Sequence, residues 1–275
     1  MTPLDAVRDA ERRLQIAGVP DARTDAELLV AHVLGVTRSA LHAHSDYLDP
    51  SQLGSLNELV ERRRTREPLQ HILGTWGFRR LTLGVDGRAL VPRPETETVV
   101  ERCLALLMGR ERPRILDVGT GTGAIALALA DELPAARVVA VDVSPEALAL
   151  ARENAERTGL ADRVELLEGD VLGGATGPFD LVVSNPPYIP VERLGSLEPE
   201  VREHDPRLAV VASGVTEAVA EGAPNLLGRG GWLVLEVGDG QDQGVAELLR
   251  SLGYRDVAIT PDLAGIPRVV EGRSP

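Results

Sequence analysis

The chain has 275 residues, 43% of them hydrophobic, and a formal net charge of −13, long enough to bury a core without disulfide staples. All 29 basic residues are arginine; residues 1–90 balance 12 Arg against 12 acids, whereas residues 91–275 carry the other 17 Arg against 30 acids. A surface of that sign repels a polyanion, so bulk DNA or RNA binding is disfavoured, and the single Cys103 excludes a disulfide framework or a Cys-rich metal site.

Residues 1–70 read as helices. Thr2-Pro3 sets an N-cap before a proline at the first helical position. Thr24-Asp25-Ala26-Glu27 reads as a capping box ahead of the apolar run Leu28–Leu34 and a stop at Gly35. Asp49-Pro50 opens another helix, which ends in Arg62-Arg63-Arg64-Thr65-Arg66. That run is read as a solvated face at the negative helix end rather than a contact for an acidic partner. A small helical bundle is predicted. The opening segment has no cationic start followed by an apolar stretch, and no window of ~18 uncharged apolar residues exists, so no membrane association is expected and a cytoplasmic location is.

From Phe78 to Val91 the period becomes two, around Asp86-Gly87, which predicts a hairpin with its turn there. Trp76 and Phe78 are expected to pack between domains. Pro92-Arg93-Pro94 then punctuates the chain, and Arg93 and Glu95 either help form the rim of a site or cap the next helix. This divides the protein into a helical domain (1–75), a hairpin linker (76–94) and a third domain (95–275).

Beyond residue 95, short β-branched runs alternate with helical ones. Strands are predicted at Arg114–Val118, Arg137–Val141, Val164–Leu167, Phe179–Ser184 and Trp232–Val237, with a closing pair at Tyr254–Thr260 and Ile266–Glu271. Helices are predicted at Ala124–Glu132, Pro145–Thr158, Thr216–Leu227 and Gln241–Leu252. Such alternation implies an α/β fold with a parallel sheet, covered on both faces, and a ligand at the carboxyl ends of its strands. The histidines His32, His42, His44, His71 and His204 show no paired metal spacing beyond His42-x-His44, so no metal is expected.

The first sharp signal is Asp117-Val118-Gly119-Thr120-Gly121-Thr122-Gly123-Ala124, a strand running into a glycine-rich turn that opens a helix. Its spacing satisfies the dinucleotide fingerprint, with Asp142 19 residues after Gly123. Two details favour S-adenosylmethionine over NAD: the acidic Asp117 before the first glycine, and the extended Gly-x-Gly-x-Gly alternation. A carboxylate suits a cofactor with a cation and an amino group, and repels a pyrophosphate. Asp142 is placed to accept both ribose hydroxyls, and Asp170 to accept from an adenine amine with Val171 against the ring. The competing reading of these three aspartates is helix capping at strand-to-helix turns.

The second signal is Asn185-Pro186-Pro187-Tyr188, directly after the strand Phe179–Ser184. Two prolines remove two N–H donors, leaving the Asn185 side-chain oxygen and the Pro186 carbonyl as acceptors beside the Tyr188 ring. Such a turn suits a planar –NH2 group, each N–H directed at an oxygen with a ring stacked above.

Together these motifs resemble a class I S-adenosylmethionine-dependent methyltransferase, and more narrowly the PrmC/HemK family of protein-(glutamine-N5) methyltransferases. The resemblance also runs through 68–74 (PLQHILG), 90–97 (LVPRPETE), 198–207 (EPEVREHDPR) and 230–236 (GGWLVLE). It implies a Rossmann-like seven-stranded domain whose last strand is antiparallel, preceded by the helical domain and hairpin. It also implies, as substrate, the glutamine of the Gly-Gly-Gln loop of peptide chain release factors, with S-adenosylhomocysteine as product. Cofactor positions fall on Gly119, Thr120, Gly121, Gly123, Asp142, Val171 and Asn185, to which the loop reading adds Asp117, Thr122 and Asp170; substrate-amide positions fall on Asn185, Pro186, Pro187 and Tyr188. The segment 209–228 is about one helical turn short of the family pattern and contains Pro224; it holds none of the matched residues, so the site is expected to be independent of it. A monomer is expected. The rival readings are a ribosomal-protein glutamine methyltransferase, an adenine-N6 methyltransferase on DNA or RNA, and a non-catalytic cofactor-binding protein.

Overall fold

The computed structural model describes residues 1–43, 46–212 and 214–275, so His44 of the His42-x-His44 pair lies outside the described residues. Two compact units are present: Met1–Gly74 with Glu198–His204, and Thr75–Leu197 with Asp205–Pro275.

The first unit is helical. Helix α1 (Pro3–Ile16) is capped by Thr2, whose hydroxyl accepts from the Asp5 N–H, and it buries Ala6, Val7, Ala10 and Leu14. Helix α2 (Ala22–Leu34) starts ahead of Thr24 with Asp21 at its N-cap, so no capping box forms at Thr24. Its acids are instead neutralised by arginine: Arg63 Nε donates to Asp25 Oδ2 at 2.7 Å, and Arg23 and Arg38 donate to Glu27. Gly35, at φ 67°, ends the helix in the left-handed conformation. After α3 (Arg38–Leu41), helix α4 (Pro50–Arg64) opens on a reciprocal Asp49–Gln52 capping box, and α5 (Leu69–Leu73) completes the bundle. Leu14, Leu29, Val30, Leu56, Val60 and Ile72 form its core. The arginine run divides: Arg62 and Arg64 are exposed, as a solvated face requires, whereas Arg63 is buried against Asp25 and Glu200, and Arg66 holds Glu198 and Glu200.

The second unit opens with a hairpin of β1 (Thr75–Phe78) and β2 (Leu81–Gly84), paired from Thr75↔Gly84 to Phe78↔Leu81. The turn therefore falls at Arg79-Arg80 and not at Asp86-Gly87. Arg79 takes φ 53°, and its partners lie far along the chain: its backbone N–H donates to Glu97, and its guanidinium to Glu132 and Glu101. Phe78, expected between domains, is buried in this unit's own core with Leu83 and Val99.

The chain continues through α6 (Thr96–Leu106), β3 (Arg114–Val118), α7 (Ala124–Glu132), β4 (Arg137–Asp142), α8 (Pro145–Thr158), β5 (Val164–Glu168) and β6 (Phe179–Ser184). Helix α9 (Pro199–His204) lies within the segment grouped with the first unit; then follow α10 (Arg207–Val210), α11 (Val215–Gly222), β7 (Leu227–Glu236), α12 (Asp242–Ser251), β8 (Arg255–Pro261) and β9 (Pro267–Arg273). Pro224 sits in a short 3-10 turn just after α11.

The sheet order is β5-β4-β3-β6-β7-β9-β8, with β9 antiparallel to both its neighbours. Alternate residues feed two cores, as the pleat requires. Ile115, Val138, Leu181 and Val234 pack with α6 and α7, and Cys103 is buried there; Leu116, Val139, Val182 and Leu233 pack with α11 and α12. The chain runs outward from β3 to β5 and returns to β6 beside β3. That reversal opens a crevice at the carboxyl ends of β3 and β6, where ligands of such sheets bind.

Candidate cofactor and acceptor site

The crevice is lined by Gly119, Thr120, Gly121, Thr122, Asp142, Asp170, Val171, Asn185 and Pro187 among the expected residues. The loop after β3 turns through Gly119 (φ 72°), Gly121 (φ 56°) and Gly123 (φ 82°), a left-handed series that side chains resist. The Gly119 and Thr120 N–H groups both donate to the Val141 carbonyl, at 2.8 and 3.0 Å, which ties the loop to β4. Gly123 does not line the crevice. A Cβ there would meet Leu127 at 3.1 Å and Ala151 at 3.4 Å, so this glycine serves close helix packing.

Asp117 also stands apart from the lining, at 1% exposure. Its Oδ2 accepts from Thr120 Oγ1 at 2.7 Å and from the Ala126 N–H at 3.2 Å, while Oδ1 is buried without a hydrogen-bond partner. Burial pushes its carboxyl up to about 7. Through Oδ2, Asp117 holds the loop to the start of α7. Asp142 both caps and lines: Oδ2 accepts from the Gly121 N–H at 2.8 Å and Oδ1 from the Ser144 N–H at 3.0 Å. After β5, Gly169 donates to the Asp142 carbonyl and Gly173 to the Asp170 carbonyl. A Cβ on Gly169 would fall 2.3 Å from the Gly173 oxygen, so this turn, with Val171 at φ 51°, needs glycine.

Ser184 closes β6 by donating its hydroxyl to the Val118 carbonyl at 2.8 Å, and Asn185 follows with Nδ2 3.3 Å from Thr96 Oγ1. Pro186, next in the turn, is buried. The Tyr188 carbonyl accepts from Gln241 Nε2 at 2.9 Å, and a Cβ on Gly238 would meet the Tyr188 ring at 2.8 Å. Burial, with the nearby charge of Glu236, pushes its phenol up to about 12. One edge of the ring thus packs against Gly238.

Leu90, Val91, Pro92 and Arg93, from the segment that the sequence reads as a linker, also line the crevice, as do Thr96 at the start of α6 and Ala209 and Val215 of the shortened stretch, so the site is not independent of that stretch. Arg93 takes the rim position and pairs with the buried Asp205 at 3.1 Å. Glu95 occupies the N-cap of α6 without a side-chain capping bond. Among the described residues, no group of three or more His, Cys, Asp and Glu is arranged to hold a metal, and no helix is long and apolar enough to cross a membrane.

Two families match the chain: the PrmC N-terminal domain over residues 5–74 and the methyltransferase small domain over residues 100–194. The release factor glutamine methyltransferase of Deinococcus radiodurans is 47% identical over 98% of this chain and 97% of its own. The chain belongs to the release factor glutamine methyltransferase family. A second relative with that name, from Geobacter sulfurreducens, is 44% identical over 93% of this chain and 91% of its own. A crystal structure of the ribosomal protein L11 methylase from Lactobacillus delbrueckii subsp. bulgaricus matches with a TM-score of 0.51 and 20% identity, over 67% of this chain and 80% of that one. That likeness concerns the fold, a class I methyltransferase sheet. In this chain the glycine loop and the Asn185 turn meet in one crevice at the point where the strand order reverses.

Proposed function

We propose that this methyltransferase transfers a methyl group from S-adenosylmethionine to the side-chain amide nitrogen of the glutamine in the Gly-Gly-Gln motif of peptide chain release factors. The observation that carries the reading is the meeting of the glycine loop, Asp142 and Asn185 in one crevice. The residues fit the cofactor. A carboxylate offers about four lone-pair sites, and Asp142 spends two on Gly121 and Ser144, leaving two for the ribose hydroxyls. The glycine loop brings bare backbone to the crevice, and Asp170 and Val171, which also line it, would take the adenine amine and ring. S-adenosylmethionine, when bound, supplies an electrophilic methyl group and leaves as S-adenosylhomocysteine.

The protein's own task is the nucleophile. An amide nitrogen is weakly nucleophilic because its lone pair is delocalised. Asn185 Oδ1 and the Pro186 carbonyl, by accepting from both amide hydrogens, hold the group in one plane and return electron density to nitrogen. Positioning and preorganised dipoles then lower the barrier. Pro187 walls the crevice, and Tyr188, seated by Gln241 and Gly238, holds the turn's shape. The helical first unit recognises the release factor, and the enzyme works as a cytoplasmic monomer. Incubation of a release factor with methyl-labelled cofactor tests this: label is expected on the intact factor and absent when the motif's glutamine is replaced by alanine. Label on DNA or RNA, with none on the factor, would reject it.

A further inference from the structure

Glu236 is a buried acid that the reading above does not use. It ends β7 one residue after Leu235, which pairs with Ser184, so Glu236 and Asn185 leave neighbouring strand ends together. At 2% exposure it interacts with the Thr96 and Asn185 side chains, and its Oε2 is buried without a hydrogen-bond partner. Thr96 Oγ1 in turn accepts from Asn185 Nδ2. We propose that Glu236 is a positioning residue: its carboxylate, acting with Thr96, holds the Asn185 amide so that NH2 points inward and Oδ1 faces the substrate.

The physical reason is the near-symmetry of an asparagine amide. Its oxygen and nitrogen ends have the same shape, and only the partners decide which end faces which way. An ionised carboxylate only accepts, so the NH2 end must face it. A neutral carboxyl or a glutamine both accepts and donates, so either orientation of Asn185 is satisfied and a fraction of molecules presents donors to the substrate's own donors. A group serving packing alone would be better as a glutamine, since a half-satisfied buried carboxylate costs stability.

The carboxyl is pushed up to about 7, chiefly by burial; the Thr96 hydrogen bond, Arg268 and the Asn185 hydrogen bond oppose this, and Glu95 adds to it. Arg268 of β9, Glu95 at the start of α6 and the Tyr188 phenol are the other titratable and charged groups facing it. Ionised Glu236 is the competent form, so kcat should rise with pH through about 7.

This inference rests on the proposed amide acceptor, and the experiment separates the two. Wild type and Glu236→Gln are compared for kcat and KM on a release factor between pH 6 and 9, with S-adenosylhomocysteine affinity measured alongside. The expected result is a kcat about 10- to 100-fold lower in Glu236→Gln, without the wild type's rise through neutrality, and S-adenosylhomocysteine affinity within about threefold. Glu236→Asp, which keeps the charge, should restore the pH-dependent rise. Glu236→Gln with the wild-type rate or the wild-type rise would overturn the assignment, as would equal losses of kcat and S-adenosylhomocysteine affinity. A wild type that methylates no release factor would instead overturn the substrate reading.

Discussion

Asn154 offers the sharpest link between the fold and the cofactor loop. It is fully buried on α8, where Oδ1 accepts from the Gly84 N–H at 2.6 Å and Nδ2 donates to the carbonyls of Gly84 (3.0 Å) and Thr122 (2.9 Å). One side chain thus pins the end of the hairpin to the glycine loop. Asn154→Ala leaves one N–H and two carbonyls without partners. At ~1–3 kcal/mol per orphaned group the sum is about 3–9 kcal/mol, and water entering the vacated space brings the expected loss to about 3–5 kcal/mol. For a unit of this size that lowers Tm by roughly 10 °C. Asn154→Asp keeps the acceptor for Gly84 but sets a carboxylate against two carbonyls, so it should be at least as damaged at pH 7 and recover partly in acid, where the carboxyl donates. Urea unfolding gives the stability, and calorimetric titration with S-adenosylhomocysteine reports the loop, where a severalfold weakening is expected. Asn154→Ala within ~1 kcal/mol of the parent, with unchanged affinity, would refute the pin.

Other outcomes follow from the same bonds. Asp142→Ala should weaken cofactor binding by about 100-fold, from two lost charge-assisted hydrogen bonds of ~1.5 kcal/mol each; an unchanged Kd would remove Asp142 from the site. Arg63→Ala strands Asp25 in the first unit's interior and should cost ~3–5 kcal/mol at pH 7. Because burial already raises the Asp25 carboxyl, that deficit should shrink at pH 5, and equal deficits at both pH values in urea melts would contradict this. Arg79 holds the Glu132 carboxyl below its ordinary value, so the stability it contributes is present above the unfolded value and is lost as pH falls through the folded one. Glu132→Gln should therefore be less stable at pH 7 and lose less between about pH 5 and 3; parallel pH profiles would argue against it.

The strands and helices at the centre of the sheet are the most legible part of the sequence. β3, α7, β6 and α8 fall on the residues that the β-branched runs and the Ala- and Leu-rich stretches predict, because local propensity and tertiary burial agree there. Legibility fails where distant partners decide. The hairpin turns at Arg79-Arg80 because Glu97, Glu101 and Glu132 hold Arg79 in place, and Asp86-Gly87, the better turn by composition, is left to the segment beside the crevice. Thr24 looks like a cap, yet α2 begins earlier, and Asp25 and Glu27 serve arginines instead. In the site, glycines and strand-end aspartates announce the crevice through spacing. Spacing says nothing of depth, and so it does not separate Asp142, which lines the crevice, from Asp117, which lies beneath it. Glu236 carries no sequence signal beyond its place at a strand end; its closeness to Asn185 comes from the register of β6 against β7.

The central claim is that Asn185 presents acceptors to a glutamine amide. Tandem mass spectrometry of a release factor after turnover, with wild type and with Asn185→Ala, tests it most directly. The account predicts a single added methyl on the side-chain nitrogen of the Gly-Gly-Gln glutamine with wild type, and none with Asn185→Ala. A methyl on any other atom of the factor, or the same glutamine methylated at the wild-type rate by Asn185→Ala, would contradict it.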